Sequence, residues 1–192
     1  ALAVFFALRG CQGPVIKELP KITVYRSQSN QVERLDLEQY LVGAVAAEMP
    51  ASFEPEALKA QAICARTYAL RKLMDGKPYP LKADLSDDIN TCQGYVNYQE
   101  FFRLHPYKSK EWWSKIQQAV EDTRGEVVLY EHQLIDALYH STCGGQTASA
   151  QEVFGCEIAY LQSVKCDYCK ISKRYKTEQA FAWSEIAAIS GE

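Results

Sequence analysis

The stretch from Leu37 to Leu73 decides the fold, and it reads LEQYLVGAVAAEMPASFEPEALKAQAICARTYALRKL. Apolar residues recur at four-residue steps in its first part, which predicts a buried helix over Leu37–Met49. Pro50 cannot continue that helix and pushes the residue before it out of the helical region. Pro55 is a favoured first helical residue, so a second, alanine-rich helix is predicted from there to about Leu73.

One carboxylate and two cations stand out on these helices. Glu48 falls in the last turn of the first helix, the negative end of the helix dipole, and we expect the dipole and burial to raise its pKa. Such an acid can donate its proton in a reaction. Lys59 and Arg66 lie two turns apart and therefore share one face of the second helix. In the alternative interpretation Glu48 pairs with Lys59 or Arg66 and only holds the helices together.

The rest of the chain predicts short hairpins and further helices. Alternation of apolar and charged residues predicts strands at 22–25 and 32–37, and a second hairpin is predicted over 126–142. Helices are predicted at 111–123, as one or two turns over 147–154, and at 180–189, whereas 75–105 is polar and irregular. The predicted fold class is α+β, with helices packed on small antiparallel hairpins and a groove between them.

Composition and the N-terminus restrict the class of protein. The formal net charge of −3 and the lack of a long basic run give no basis for binding nucleic acid. Eight apolar residues precede Arg9, too few for a bilayer span of about 20 residues, so 1–13 is interpreted as the remnant of a signal or membrane anchor. The alternatives are an N-terminal strand or a lipid-modified Cys11. The remainder, 14–192, is predicted to be a single domain whose C-terminus is either truncated or short.

The seven cysteines leave three alternatives open. Cys166 and Cys169 form a single CxxC, whereas zinc ribbons use two such pairs. Cys143 and Cys156 have no standard spacing from that pair. A metal site, disulfides and unpaired thiols are all compatible with the pattern.

The segment YHSTCGGQT, residues 139–147, suggests a binding turn. Its Gly-Gly pair lets the backbone approach a ligand closely, and its histidine and hydroxyl side chains suit sugar hydroxyls. The alternative is a tight turn with capping hydroxyls. The chain has no GxSxG, HExxH, P-loop or GxGxxG motif, so none of the corresponding chemistries is predicted.

Three motifs resemble those of one known family. The run LEQYLVGAVAAEMPASFEPEALKAQAICARTYAL resembles the first signature of the stage II sporulation protein D family and its amidase-enhancer relatives. YHSTCGGQTASAQEVFG followed by YLQSV resembles the second signature, and CQGY at 92–95 resembles a third, weaker one. The resemblance covers roughly residues 20–165.

The resemblance implies a lytic transglycosylase, a lyase that degrades the cell wall during sporulation. It would cleave peptidoglycan glycan strands that lack stem peptides and leave 1,6-anhydro-muramic acid ends during forespore engulfment. It implies an extracytoplasmic protein, anchored to the cell membrane (the mother-cell engulfing membrane in a spore former), with a wall amidase and engulfment-complex membrane proteins as partners. No cofactor is required. The alternative is a non-catalytic peptidoglycan-binding protein that enhances a wall amidase.

The resemblance also assigns site residues, and it explains why one acid is enough. Glu48 matches the catalytic acid, and because muramic acid's own C6 hydroxyl is the nucleophile, a second carboxylate of the kind hydrolases use is not needed. The matching substrate-binding positions are the cations Lys59 and Arg66, the groove residues Gln93 and Tyr95, and the sugar-binding turn Tyr139, His140, Ser141, Thr142, Gly144, Gly145 and Thr147.

The chain departs from the family pattern at its cysteines. Many relatives read DxCDxxHCQ where this chain reads DLSDDINTCQ, so Ser86 and Thr91 replace a cysteine and a histidine and Cys92 alone remains. This departure argues against the zinc site of some relatives. Cys143 stands where serine is common, and with Cys156 and the CxxC pair it could form a different metal or disulfide site.

Overall fold

The computed structural model describes residues 20–76, 79–184 and 186. The predicted anchor remnant at 1–13 lies outside these residues. The chain divides into two compact units, of which the first ends at Leu138 and the second begins at Tyr139. The described residues of both units fall within the range 14–192 that the sequence predicts as one domain. None of the helices in the described part is long and apolar enough to cross a membrane.

A small mixed sheet opens the first unit. Strands β1 (Lys21–Arg26) and β2 (Gln31–Asp36) pair antiparallel, which confirms the predicted first hairpin. A two-residue strand, β3 (Leu85–Ser86), joins the other side of β1 in parallel. The sheet is therefore mixed, whereas the sequence predicts only antiparallel pairing. Strand β3 was not predicted because it pairs with a strand about 60 residues earlier and its two residues carry no period of their own.

Two helices follow the hairpin as the sequence predicts. Helix α1 (Leu37–Glu48) starts directly at the end of β2, and helix α2 (Pro55–Asp75) ends at Gly76, whose φ of 60° suits glycine. Their buried side chains form most of one core with the inner face of the sheet. The apolar side chains of α2 that reach zero exposure are Leu58, Ala62, Ala65 and Ala69. This confirms the close packing that its alanines predict.

Two further helices complete this core. Helix α4 (Ser109–Asp122) confirms the helix predicted at 111–123 and begins two residues earlier. Helix α3 (Tyr98–Leu104) lies in the region predicted to be irregular. A reciprocal capping box starts α3, since the Asn97 side chain accepts from the backbone of Glu100 and the Glu100 side chain accepts from the backbone of Asn97.

The predicted second hairpin is shorter than expected. Strands β4 (Leu129–Tyr130) and β5 (Gln133–Leu134) pair over two residues each. The turn between them has positive φ at Glu131 and His132, 49° and 62°, as a two-residue hairpin turn requires. The residues after β5 leave the ladder, so the strand predicted to 142 stops at Leu134.

The second unit contains little regular structure. Helix α5 (Ala150–Phe154) confirms the predicted helical turns and begins with a capping box between Ser149 and Glu152. A short 3-10 helix, Tyr168–Ile171, follows. Of the helix predicted at 180–189, residues 183, 184 and 186 are helical, and the rest lies outside the described residues.

Candidate functional site

Glu48 is the last residue of α1, as predicted. The next residue, Met49, is extended, so Pro50 ends the helix directly after the acid. The half-buried carboxylate accepts a hydrogen bond at Oε1 from the backbone N–H of Gly94, at 2.5 Å. Among the residues that the structure describes, no cation lies within ion-pair distance of Glu48. The alternative in which Glu48 pairs with Lys59 or Arg66 is therefore wrong.

The segment from Cys92 to Val96 reaches Glu48 because it crosses α1 at a glycine. The Val96 N–H donates to the Gly43 carbonyl oxygen at 3.3 Å. A Cβ atom on Gly43 would lie 2.4 Å from both the Tyr95 ring and the Val96 oxygen. Only glycine at this position lets the segment lie directly on the helix.

Gln93 and Tyr95 hold this segment from either side of Gly94. Gln93 is 4% exposed, and its amide nitrogen donates to the Tyr40 hydroxyl at 3.0 Å and to the Ala65 carbonyl at 3.3 Å. Tyr95 stacks on Tyr40 with the ring centroids 5.3 Å apart, and burial raises the pKa of its hydroxyl. The side chain of Gln93 therefore faces the core, and its contacts orient the Gly94 N–H. They do not present Gln93 to a ligand.

Gly94 itself leaves little space beside the acid. A Cβ atom there would lie 3.1 Å from Glu48 Oε1 and 3.2 Å from the Ala47 side chain. The glycine thus brings a backbone N–H to the carboxylate without a side chain that would push it aside. The sequence alone does not reveal the contact between Gly94 and Glu48, since the two residues are 46 positions apart.

The predicted shared face of Lys59 and Arg66 is confirmed, and that face packs on α4. Lys59 Nζ lies 3.1 Å from Asp122 and 3.1 Å from Glu56. Its side chain keeps 28% exposure. Lys59 therefore remains accessible from solvent, but its charge is already paired.

Arg66 is buried in the core of the first unit. Its side chain is 1% exposed, and its Nε and Nη2 atoms donate to the two Glu38 oxygens at 2.9 and 2.6 Å. It also donates to the carbonyls of Val120 and Glu126, both at 3.1 Å. The substrate-binding role predicted for Arg66 does not fit this placement. Glu38 was not among the predicted residues, although its acid interrupts the apolar face of α1.

A groove of about 820 Å³ lies on the first unit, beside the same segment. Amide and aromatic side chains are prominent in its lining, among them Gln39, Tyr98, Trp113 and Gln117. Tyr95 contributes to the lining, whereas Glu48 does not. Tyr95 therefore lines the groove, whereas its neighbour Gly94 contacts the acid.

The predicted sugar-binding turn belongs to the second unit. His140 and Ser141 are exposed there, whereas the Thr142 hydroxyl lies 2.8 Å from the Ser172 hydroxyl. The Thr147 hydroxyl accepts from the Val164 N–H at 2.9 Å. Tyr139 is half-buried and Gly144 is exposed. Gly145 adopts φ of 102°, so its place in the turn requires glycine.

The region of DLSDDINTCQ holds no cluster of metal ligands among the described residues. Ser86 is buried and its hydroxyl accepts from the Asp88 N–H at 3.1 Å, while Thr91 is exposed. The side chains that do meet as candidate ligands in the described part of the chain are Cys143, Cys166 and Cys169. Cys156, which the sequence grouped with them, is exposed and outside this cluster.

Comparison with known proteins identifies the family to which the chain belongs. Residues 25–130 match the family described as SpoIID, Stage II sporulation protein, and the chain belongs to this family. The matched range contains α1, α2 and the segment that binds Glu48.

Particular relatives agree with this assignment. The chain is 38% identical over 182 residues to Stage II sporulation protein D of Bacillus amyloliquefaciens, which covers 90% of this chain and 51% of that protein. It is 38% identical over 166 residues to Stage II sporulation protein D of Bacillus subtilis, with 86% and 48% covered. An amidase enhancer of Bacillus subtilis is 37% identical over 125 residues, 65% of this chain and 15% of that protein. The chain thus spans about half the length of the two stage II relatives.

Proposed function

We propose that the chain is a lytic transglycosylase that cleaves peptide-free peptidoglycan strands, with Glu48 as its single acid/base. One observation carries this proposal: Glu48 ends a buried helix, accepts one backbone hydrogen bond at Oε1, and has no cation beside it in the described structure. Glu48 thereby differs from Glu38, which stabilises the fold through its ion pair with Arg66. In this arrangement one oxygen is fixed, and Oε2 accepts no hydrogen bond from the described residues.

The reaction then needs two proton transfers at that carboxyl group. Protonated Glu48 donates its proton to the glycosidic oxygen that leaves, and the bond from that oxygen to C1 of muramic acid breaks. The resulting carboxylate takes the proton of the C6 hydroxyl as that oxygen bonds to C1, which closes a 1,6-anhydro ring. Glu48 ends protonated, and no water is consumed. The Gly94 N–H keeps the carboxyl group in place through both steps.

Sporulation comes to this proposal from the names of the stage II relatives, and an amidase from the name of the amidase enhancer. The envelope location and the remaining partners come from the family resemblance of the sequence. We propose an extracytoplasmic, membrane-anchored protein that acts on the cell wall during sporulation and engulfment, beside a wall amidase and engulfment-complex membrane proteins. Removal of stem peptides by an amidase would supply its substrate. Of the predicted binding residues, His140, Ser141 and Gly144 are exposed in the second unit, and Tyr95 lines the groove of the first unit.

A second candidate function is supported by two observations. A relative is named an amidase enhancer. The groove of about 820 Å³ is lined by amides and aromatic rings, together with three glutamates and an arginine, but not by Glu48. Such a lining suits sugar rings, since aromatic faces pack on apolar sugar faces and amides bond hydroxyls. In this alternative the chain binds peptidoglycan without cleaving it and stimulates an amidase.

Product analysis separates the two functions. Wild-type protein and Glu48→Gln are each incubated with peptide-stripped and with intact peptidoglycan, and soluble products are identified by mass spectrometry. Glu54→Gln is the matched control, because Glu54 is exposed and makes no side-chain capping bond at the start of α2. Anhydro-muramyl products from stripped glycan with wild type and Glu54→Gln, but not with Glu48→Gln, are expected.

Other products would contradict the proposal in distinct ways. Reducing-end products would mean hydrolysis, which requires a second carboxylate. No product with retained binding to stripped glycan would overturn the transglycosylase assignment and favour the amidase-enhancing binder.

A further inference from the structure

Three cysteine sulfurs converge in the second unit. Cys143 Sγ lies 3.5 Å from Cys169 Sγ, and Cys166 Sγ lies 3.6 Å from Cys169 Sγ. All three sulfurs lie within 4.8 Å of one another. A disulfide would need a separation of about 2.05 Å. Zinc–sulfur bonds of about 2.3 Å in a tetrahedron put neighbouring sulfurs about 3.8 Å apart, close to the distances seen here.

The backbone around the cysteines is organised to bring them together. The Gly145 carbonyl accepts from the Cys166 N–H at 2.9 Å, and a β-bridge joins Gln146 to Lys165. These bonds clamp the turn that carries Cys143 against the segment that carries the CxxC pair. Two segments more than 20 residues apart in sequence are thus held in register at the sulfurs.

A backbone N–H also points at one of the sulfurs. The Cys143 N–H donates to Cys169 Sγ at 3.3 Å. A donor aimed at sulfur stabilises the thiolate, which is the form that binds metal.

The second unit has almost no hydrophobic core of its own. Ala150 is the one fully buried residue in its described part, whereas large apolar side chains are exposed, such as Tyr168 at 88% and Ile171 at 95%. A unit of this size that buries so little needs a further constraint to stay folded, and a structural metal is one of the few available. Between residues 165 and 176 the cations outnumber the one acid, Asp167. Their positive charge would stabilise a nearby site that carries excess negative charge.

We propose that Cys143, Cys166 and Cys169 bind one Zn²⁺ ion, with a water molecule in the fourth position. Three thiolates favour zinc over the hard cations Mg²⁺ and Ca²⁺, which prefer oxygen ligands. Cys143 is the fifth residue of the Tyr139–Thr147 turn, so the ion fixes the middle of that turn. The ion also stabilises the second unit, which has almost no hydrophobic core. This site differs from the position of Ser86, Thr91 and Cys92, where the family resemblance would have located zinc.

Metal content of the full chain tests the site. The protein is expressed with added zinc and purified without chelators, and bound metals are measured by inductively coupled plasma mass spectrometry. We expect about one zinc ion per chain for wild type and its loss in Cys143→Ser, Cys166→Ser and Cys169→Ser. Cys156→Ser is the matched control, because this exposed cysteine lies outside the cluster, and it retains the ion.

A second measurement keeps the test decisive if the serine variants do not fold. Wild-type protein is stripped with a chelator, and Co²⁺ is added while the thiolate-to-cobalt absorption in the near ultraviolet is followed. Limited proteolysis after residue 139 is compared before and after the addition, and protection by the metal is expected. Absence of the thiolate absorption, or zinc content unchanged in all three serine variants, would overturn the proposal. If two of the three thiols react with an alkylating agent only after reductant is added, the zinc proposal is overturned in favour of a disulfide.

Discussion

The N–H of Gly94 donates to Glu48 Oε1 across the last turn of α1, at 2.5 Å. This bond joins two motifs of the first unit, the helix that ends in an acid and the CQGY segment. It depends on Gly43, over which the segment crosses the helix, and on Gln93 and Tyr95, which hold the segment on Tyr40. The position of the acid is therefore set by residues that do not need to touch substrate.

Gly94→Ala is expected to lower transglycosylase activity with little effect on folding. The new methyl group would lie 3.1 Å from Glu48 Oε1, a distance at which the carboxylate must shift. A displacement of that kind in a catalytic group costs up to about 100-fold in rate. The rate of anhydro-muramyl product formation and the melting temperature are measured on the same preparations. Wild-type activity in Gly94→Ala would show that the acid does not depend on this contact.

Gly43→Ala is expected to lower both stability and activity. The methyl group would lie 2.4 Å from the Val96 carbonyl oxygen, and this backbone atom cannot move without lifting the segment from α1. Overpacking of this severity costs about 1–3 kcal/mol of unfolding free energy. Urea unfolding measures the cost. Equal losses of stability in Gly43→Ala and Gly94→Ala would contradict the separation of a packing glycine from a site glycine.

The longest periodic elements were predictable, and so was the location of the acid. The α1 and α2 helices follow from apolar spacing and two prolines, and Glu48 follows from its place before Pro50. Helix α3 was missed because seven residues give little period, although the Asn97–Glu100 capping box is legible in the sequence. Strand β3 was missed because two residues paired at long range carry no local signal.

Contacts between distant residues account for what could not be predicted at the site. Spacing places Lys59 and Arg66 on one face of α2, but it does not say that α4 covers that face. The partner of Arg66 is 28 residues away, so its burial could only be suspected from Glu38, which lies on the apolar face of α1. For the same reason, the sequence does not show that Cys143 lies beside the CxxC pair.

Acid is expected to weaken the first unit partly through Glu100. Burial alone would raise the pKa of Glu100, but its hydrogen bonds with Arg26 and the Asn97 backbone outweigh burial and hold the pKa below its usual value. Because the folded-state pKa is depressed, this stabilisation is fully present above the unfolded pKa of about 4.3 and is lost as pH falls through the folded pKa. The group is partly exposed, so the effect is about 1 kcal/mol or less.

Glu100→Gln tests this dependence. The difference in unfolding free energy between wild type and Glu100→Gln is measured by urea unfolding from pH 7 to pH 3. It should shrink as pH falls, whereas the exposed Glu157→Gln variant should track wild type throughout. No difference at any pH would mean that Glu100 contributes through its capping hydrogen bond, which glutamine keeps, and not through its charge.

The pair between Glu38 and Arg66 is expected to stabilise the fold and to play no part in substrate binding. Glu38→Ala would leave a buried guanidinium without its carboxylate, at a cost of about 3–5 kcal/mol. The double variant Glu38→Leu, Arg66→Met should recover part of this, because no charge is then left unpaired. Recovery should be incomplete, since the carbonyls of Val120 and Glu126 lose their donor. If Arg66 bound substrate, the folded double variant would show a raised KM for stripped glycan, whereas a purely structural pair leaves KM and kcat near those of wild type.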